Sequence, residues 1–205
     1  MSYAVVVEGL EDLASFEKDF SAENIRFNAV RAINGMAERA RREGKARILE
    51  QVNFPASYLN PAGKRFMVSR KATGNNLEAA VAARFRPTSL ARFVTGTMTP
   101  NKPGVTVEVH PGKSRFMKRA FVIKLPAGSA GLDTKSNFGL AVRLKKGDTL
   151  RNKRNVVRMA RGLYLLYGPS VQQVFLDNQG EGVAADLQPE IRDRLADEFL
   201  RLMDL

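Results

Sequence analysis

Cysteine is absent from this chain, and histidine occurs once, at His110. Without cysteine there is no disulfide, no thiolate metal ligand and no cysteine nucleophile, which fits a reducing compartment. One histidine cannot assemble the usual zinc shells, which draw on several His or Cys ligands. A serine nucleophile would have only this one histidine, in a predicted turn, as its general base. We therefore expect no enzymatic activity, with no catalytic residue, no metal and no cofactor.

Long apolar runs are also missing. No stretch approaches the roughly 18 apolar residues that a membrane-spanning helix needs, so we expect no membrane contact. The N-terminus lacks a basic region followed by an apolar core, and we expect no secretory signal. With 44% hydrophobic and 26% charged residues, the 205-residue chain has the composition of a globular protein with a sizeable core.

Acidic residues are scarce, 21 against 33 basic ones, which gives a net charge of +12. The charge is uneven, because residues 177–205 hold eight acids and three arginines, a net −5, and the remainder carries +17. This asymmetry favours attraction to polyanions and contact between the acidic end of one copy and the basic body of the next. A basic solubilising surface is the simpler interpretation of the same charge.

Helical periodicity marks the first third of the chain. Ser21 is placed to cap a helix that begins near residue 22 and runs to about residue 52, where Phe54-Pro55 ends it. Gly35 and Gly44 weaken the middle of this helix and favour a kink or break there.

A second helix is predicted at the other end. Asp186 and Pro189 open it, and its apolar face consists of Ile191, Leu195, Phe199 and Leu202.

Short strands with tight turns fill the middle of the chain. The pattern predicts strands over residues 3–10, 66–68, 105–109, 119–125, 137–144 and 162–167. Residues 77–85 fit a strand or a helix, and a strand is favoured because Arg86-Pro87 ends the segment. Pro111-Gly112 predicts a hairpin in which 105–109 pairs with 119–125. The fold class is therefore α+β: a long N-terminal helix packed on a mostly antiparallel β-sheet, with a C-terminal amphipathic helix. A single domain over 1–205 is the economical organisation.

Two motifs suggest a ligand-binding site, but for each of them a purely structural interpretation is favoured. Gly112-Lys113-Ser114 is similar to the end of a phosphate-binding loop, but Val107 stands where that loop needs its first glycine. A hairpin turn is the better account. Asp193 and Asp197 lie one helical turn apart and could share a cation, yet three arginines of the same segment are close enough to neutralise them.

The most informative segment is residues 163–175, LYLLYGPSVQQVF. An apolar strand leads through Gly168-Pro169-Ser170 into the start of a helix, and no acid, base or thiol lies inside it. Because side chains alternate along a strand, Tyr164 and Leu166 face one side and Leu165 the other, and both sides are apolar. Either the strand is central and this chain covers both of its faces, or this chain covers one face and another subunit packs against the other.

Residues 143–161 hold eight basic side chains opposed only by Asp148. Such density suits phosphate contact, but neither a recognition helix nor stacked aromatics accompany it, so any contact with nucleic acid would be non-specific. A loop that docks on an acidic partner, or that faces water, is the alternative. The candidate DNA-facing residues are Arg151, Lys153, Arg154, Arg158 and Arg161.

The segment 165–171 with Val174-Phe175 resembles the signature of the minor tail protein Z family, the tail-completion proteins of phages with long non-contractile tails. Further similar pieces occur in the order that the family shows. They are a helix with Ala29, Ile33, Asn34 and Ala37, then Asn53-Phe54-Pro55, a hairpin over 107–112, Ala120-Phe121-Val122, Leu140-Ala141-Val142-Arg143, and a last helix with Glu198 and Arg201.

The resemblance implies a virion structural protein that completes the head-proximal end of the tail and supports head–tail joining. It implies a homo-oligomeric ring around the DNA channel, with a hexamer favoured, in the neck of the virion after assembly in the host cytoplasm. Implied neighbours are the tail terminator or tail tube protein and head-completion or portal-side proteins. The candidate subunit interface is Tyr164, Leu166, Tyr167, Pro169, Val171, Val174, Phe175, Asp193, Asp197 and Glu198.

Overall fold

A computed structural model describes residues 3–6, 21–96, 99–125, 138–145, 147–150, 155–177 and 182–203. Three α-helices and nine strands lie in these ranges. In chain order they are β1 Tyr3–Val6, α1 Ala22–Gln51, β2 Phe66–Arg70, β3 Ala80–Ala83, β4 Val105–His110, β5 Lys113–Met117, β6 Ala120–Lys124, β7 Phe138–Arg143, β8 Val156–Arg158, β9 Leu163–Leu166, α2 Val171–Leu176 and α3 Val183–Leu202.

The predicted N-terminal helix is confirmed as α1. The Ser21 Oγ accepts a hydrogen bond from the Asn24 N–H at 3.3 Å, so the serine caps the helix as expected. The helix continues through both glycines. Its buried side chains recur at three- and four-residue steps, and burial of this stripe stabilises the helix more than two glycines weaken it.

The chain divides into two compact units. Unit 1 consists of Met1–Leu49, Ala56–Phe85 and Val171–Leu205, and unit 2 consists of Glu50–Pro55 and Arg86–Ser170. The expectation of one domain over 1–205 stays a prediction.

Unit 1 packs most of α1 together with α2, α3 and a three-stranded antiparallel sheet of order β1-β3-β2. The rings of Phe66 on β2 and Phe175 on α2 meet edge to face, with centroids 4.8 Å apart. Gly44 of α1 lies against both rings and against Leu187 of α3, so the absent side chain lets these elements approach closely.

Unit 2 contains a two-stranded sheet, β4-β5, and a four-stranded antiparallel sheet of order β6-β7-β9-β8. One face of the larger sheet buries Val122 and Leu140 with Val105 and Val107 of β4. The other face holds a second apolar cluster around Leu125, Ala141 and Leu165. The α+β fold class, with a long N-terminal helix, antiparallel sheets and a C-terminal helix, is confirmed.

The predicted pairing around Pro111-Gly112 is wrong in its second strand. The turn is present, with Gly112 at φ +72°, but β4 pairs with β5, and the apolar strand β6 pairs with β7 instead. The sequence KSRFM of β5 is mostly polar and exposed, so it lacks the apolar alternation that would predict a strand. Strand β8 is also missing from the predicted strands, because it has only three residues and lies in the basic run 143–161.

The C-terminal helix begins earlier than predicted, at Val183, and continues through Pro189. Val183, Ala184 and Leu187 are buried, so the apolar face of α3 starts a turn before Asp186 and Pro189. Within the described residues, none of the helices is both long and apolar enough to cross a membrane. Residues 7–10 of the predicted first strand lie outside the described residues.

Candidate interaction surfaces

The segment 163–175 is a structural junction. Strand β9 lies inside the four-stranded sheet, between β7 and β8. Leu165 on one face is buried, whereas Tyr164 and Leu166 on the other face are half-buried, so contact of that face with another subunit stays a prediction. The Gly168 N–H donates to the Thr88 carbonyl at 2.7 Å, and the Thr88 N–H donates to the Pro169 carbonyl at 3.3 Å. A Cβ on Gly168 would lie 3.0 Å from the Phe93 ring, which explains why a glycine stands there. The chain leaves unit 2 at Ser170 and enters α2 at Val171.

The structure divides the apolar members of the candidate subunit interface into two groups. Val171 and Phe175 are fully buried in unit 1, so they cover the chain's own core and are not available to another subunit. The remaining apolar candidates are half-buried: Tyr164, Leu166, Tyr167, Pro169 and Val174. Helical periodicity gave α2 an apolar face but could not say what covers that face.

The acidic members of the candidate interface lie on α3 and differ in their partners. Asp193 and Asp197 are exposed. Glu198 accepts two hydrogen bonds from the Arg201 guanidinium, at 2.7 and 2.8 Å, and this arginine holds the pKa of Glu198 below its usual value. Glu198 is therefore already paired within the helix, whereas the two aspartates form the exposed acidic patch.

Other carboxylates of unit 1 are paired between helices. Glu190 of α3 accepts a hydrogen bond from Arg47 of α1 at 2.6 Å, which lowers the pKa of Glu190. Glu43 of α1 accepts from Arg194 of α3 at 3.2 Å. These partly exposed pairs orient α3 on α1 and contribute modestly to stability.

The positive charge of the protein belongs to unit 2. By sequence, this unit holds 17 lysines and arginines and four acidic residues, a net charge of +13. Unit 1 holds 16 basic and 17 acidic residues, a net charge of −1. A basic solubilising coat would be spread over both units, so this distribution favours a local role for the charge.

Much of the described charge in unit 2 lies at one end of the four-stranded sheet. The start of β6, the end of β7, the end of β8 and the start of β9 meet there, because neighbouring strands are antiparallel. Six exposed cations flank these strand ends and are called here the basic end: Lys118, Arg119, Arg143, Lys145, Arg158 and Arg161.

Among the described residues of this end, Asp148 opposes the cations. Its carboxylate accepts hydrogen bonds from Arg119 and from the Lys145 N–H, and these lower its pKa, the Arg119 contact most. Two of the predicted DNA-facing residues, Arg158 and Arg161, belong to the basic end. The other three, Arg151, Lys153 and Arg154, lie outside the described residues.

The single histidine, His110, lies at the end of β4. His110 is exposed, and its Nδ1 lies 3.0 Å from the Gln51 carbonyl, so this nitrogen carries the proton and donates. No group of three or more His, Cys, Asp or Glu side chains positioned to hold a metal occurs among the described residues.

Comparison with known proteins identifies no relative: no family model, no curated protein and no solved structure matches this chain.

Proposed function

We propose that this protein is a virion structural component that completes the head-proximal end of a long, non-contractile phage tail and supports head–tail joining. The observation that carries the proposal is the resemblance of residues 165–175 to the tail-completion signature. The contacts of this segment agree with a purely architectural use, since it supplies a central strand, a tight turn and buried helix residues.

The proposed assembly is a ring, a hexamer by preference, around the DNA channel. The exposed Asp193 and Asp197 of one copy would meet the basic unit 2 of the next copy. Such a contact joins two different surfaces, and rings form when the rotation closes. Lysines and arginines on the inner side would face DNA phosphates, and tail terminator, tail tube or portal-side proteins would be the axial neighbours.

The acidic patch provides the test. Replacing Asp193 and Asp197 with lysine should weaken self-association, measured by sedimentation velocity, and should reduce head–tail joining in an assembly assay, because like charges would face the basic unit. The control is Glu23→Lys with Asp177→Lys, which makes the same charge change at exposed positions of unit 1 outside the acidic patch. The ring contact is wrong if both variants sediment and join tails like the parent chain.

A non-specific nucleic-acid-binding protein is the second candidate, and the net charge of +13 on unit 2 favours it. Each phosphate that a cation neutralises releases counterions, so such binding is strongly salt-dependent. Purified protein that is retained on a DNA column and forms no rings or tail-end particles in electron micrographs would favour this candidate over the structural one.

A further inference from the structure

Strand β8 forms one edge of the four-stranded sheet, and within the described ranges no strand pairs with its outer side. The Met159 N–H donates to the Leu163 carbonyl at 2.7 Å, and the Asn155 carbonyl accepts from the Tyr167 N–H at 2.9 Å. Backbone groups alternate in direction along an antiparallel strand. Positions 155, 157 and 159 therefore bond to β9, and the N–H and C=O groups of Val156 and Arg158 point outward.

The edge is flanked by a cavity on each face of the sheet. One cavity, of about 320 Å³, is lined by Val156, Arg158 and Tyr164, and also by Asp148, whose carboxylate is paired with Arg119. The other, of about 140 Å³, is lined by Val156, Val157 and Tyr167. They lie on opposite faces, since Tyr164 and Tyr167 are an odd number of residues apart on one extended segment.

Two apolar side chains along this edge are exposed. Val157 keeps 51% of its surface exposed and Met159 keeps 36%, and they are two of the few large hydrophobic residues so exposed in the part of the chain described. Neighbouring Arg158 is exposed as well. An edge of this kind, with outward amide groups and apolar side chains, is a template for another strand.

We propose that the β8 edge binds an extended, acidic segment of a partner protein by strand addition. In this mode main-chain hydrogen bonds give affinity, and pockets for alternate side chains give specificity. The segment would bond to the outward groups of Val156 and Arg158 and place successive side chains in the two cavities.

Charge identifies the partner's composition. Arg158 lies on the edge itself, Arg86 lines the smaller cavity, and the whole unit carries +13. In a segment that alternates apolar residues with carboxylates, the apolar side chains suit a cavity and the carboxylates suit the positive charge. The inference does not depend on the tail-completion proposal, since it uses only the edge of unit 2.

The probe is a labelled peptide of alternating valine and glutamate, about eight residues long, enough for one ordinary strand. In the free full-length protein, the amides of Val156 and Arg158 should exchange with solvent quickly, while those of Val157 and Met159 should be protected. The peptide should slow exchange at Val156 and Arg158 by about tenfold or more, measured by amide hydrogen exchange in NMR spectra.

Two variants at one position isolate the outward amide. Val156→Pro removes an N–H that points away from β9, so the sheet keeps its ladder. Val156→Ala makes a comparable side-chain loss and keeps the N–H. Peptide affinity, measured by fluorescence anisotropy, should be about tenfold weaker in the proline variant than in the alanine variant.

A peptide of alternating valine and lysine should bind at least about tenfold more weakly than the glutamate peptide, because it meets like charges. The proposal is overturned if neither peptide binds, if the two bind equally, or if proline and alanine at position 156 give the same affinity. Exchange protection of Val156 and Arg158 by self-association, without peptide, would also overturn it, because a second copy would then be the occupant. If the proline variant does not fold, the exchange measurement on the native chain decides.

Discussion

At the scale of single residues, the two glycines inside α1 have opposite surroundings. Gly35 is exposed, and a Cβ there would meet no atom within 4 Å. A Cβ on Gly44 would lie 3.0 Å from the Phe66 ring, 3.1 Å from the Phe175 ring and 3.3 Å from Leu187. Alanine is favoured over glycine in a helix by about 1 kcal/mol, whereas overpacking a filled core costs about 1–3 kcal/mol. At Gly35 the helix propensity of alanine therefore decides the effect of the substitution on stability, whereas at Gly44 the packing of the core decides it.

We expect Gly35→Ala to raise the free energy of unfolding by up to about 1 kcal/mol. We expect Gly44→Ala to lower it by about 1 kcal/mol, because the close-packed rings must move apart. Urea denaturation followed by circular dichroism measures both, and each variant is the control for the other. Changes of the same sign would contradict this account of how α1 packs.

Residue by residue, the sequence predicted the caps and core faces better than the interface. Ser21 and the buried stripe of α1 follow from local patterns that act within one or two helical turns. Whether an apolar side chain covers its own core or another subunit depends on distant segments. Val171 and Phe175 are fully buried in unit 1, where the ring of Phe66, far away in sequence, packs against the ring of Phe175.

At the scale of elements, the β4–β5 hairpin is organised by one carboxylate. Glu108 accepts hydrogen bonds from the Ser114 hydroxyl at 2.8 Å, the Gly112 N–H at 3.0 Å and the Asn53 amide at 3.0 Å. These donors hold the pKa of Glu108 below its ordinary value of 4.5, and the Ser114 hydroxyl has the largest effect. The ionised carboxylate therefore ties the turn to the segment that follows α1.

The hairpin should depend on pH. A folded-state pKa below the unfolded value means that the stabilisation is present above pH 4.5 and is lost as the pH falls through the folded pKa. We expect Glu108→Gln to unfold more easily than the parent at neutral pH, and the difference to shrink as the pH falls below 4.5.

Thermal unfolding over a pH series measures this difference. Ser114→Ala, which removes the largest contribution to the shift, should show the same trend with a smaller amplitude. A difference between Glu108→Gln and the parent that stays constant from neutral to acid pH would refute the role given to the carboxylate.

Sequence patterns predict the positions of most strands and helices, but they do not predict correctly which strands pair. The apolar strands, here β3, β4, β6, β7 and β9, follow from alternation and flanking turn residues. The polar strand β5 and the short β8 carry no such signal, so the partner of β4 was missed. Strand β8, where the strand-addition site is proposed, lies in a basic run without a strand pattern, and its place at the edge of the sheet is seen only in the strand order of the described residues.

At the scale of the whole molecule, charge is divided by unit, with +13 on unit 2 and −1 on unit 1. The sequence showed an acidic end and a basic remainder, which is correct as a count along the chain. The structure instead places the positive excess in unit 2, since the segments 1–49 and 56–85, although distant in sequence from the acidic end, share a unit with it and nearly balance its charge.

This division predicts where DNA would bind. Alanines at three positions of the basic end should reduce the slope of log affinity against log salt, by about 0.9 for each phosphate that is no longer neutralised. Removal of three exposed cations from unit 1 should leave the slope nearly unchanged. The first set is Lys118, Arg143 and Lys145, and the control set is Arg42, Lys71 and Arg192.

Filter binding of duplex DNA over a range of salt concentrations gives both slopes. Equal reductions in the two sets would mean that net charge alone, and not the basic end, governs binding.

The claim that this protein joins virion parts is tested most directly by its position in the particle. Virions of a phage that encodes the chain should be purified and imaged by electron microscopy with a gold-labelled antibody against it. We expect label at the junction of head and tail, on a ring that surrounds the channel. Label elsewhere on the particle, or purified infectious virions that lack the chain, would contradict it.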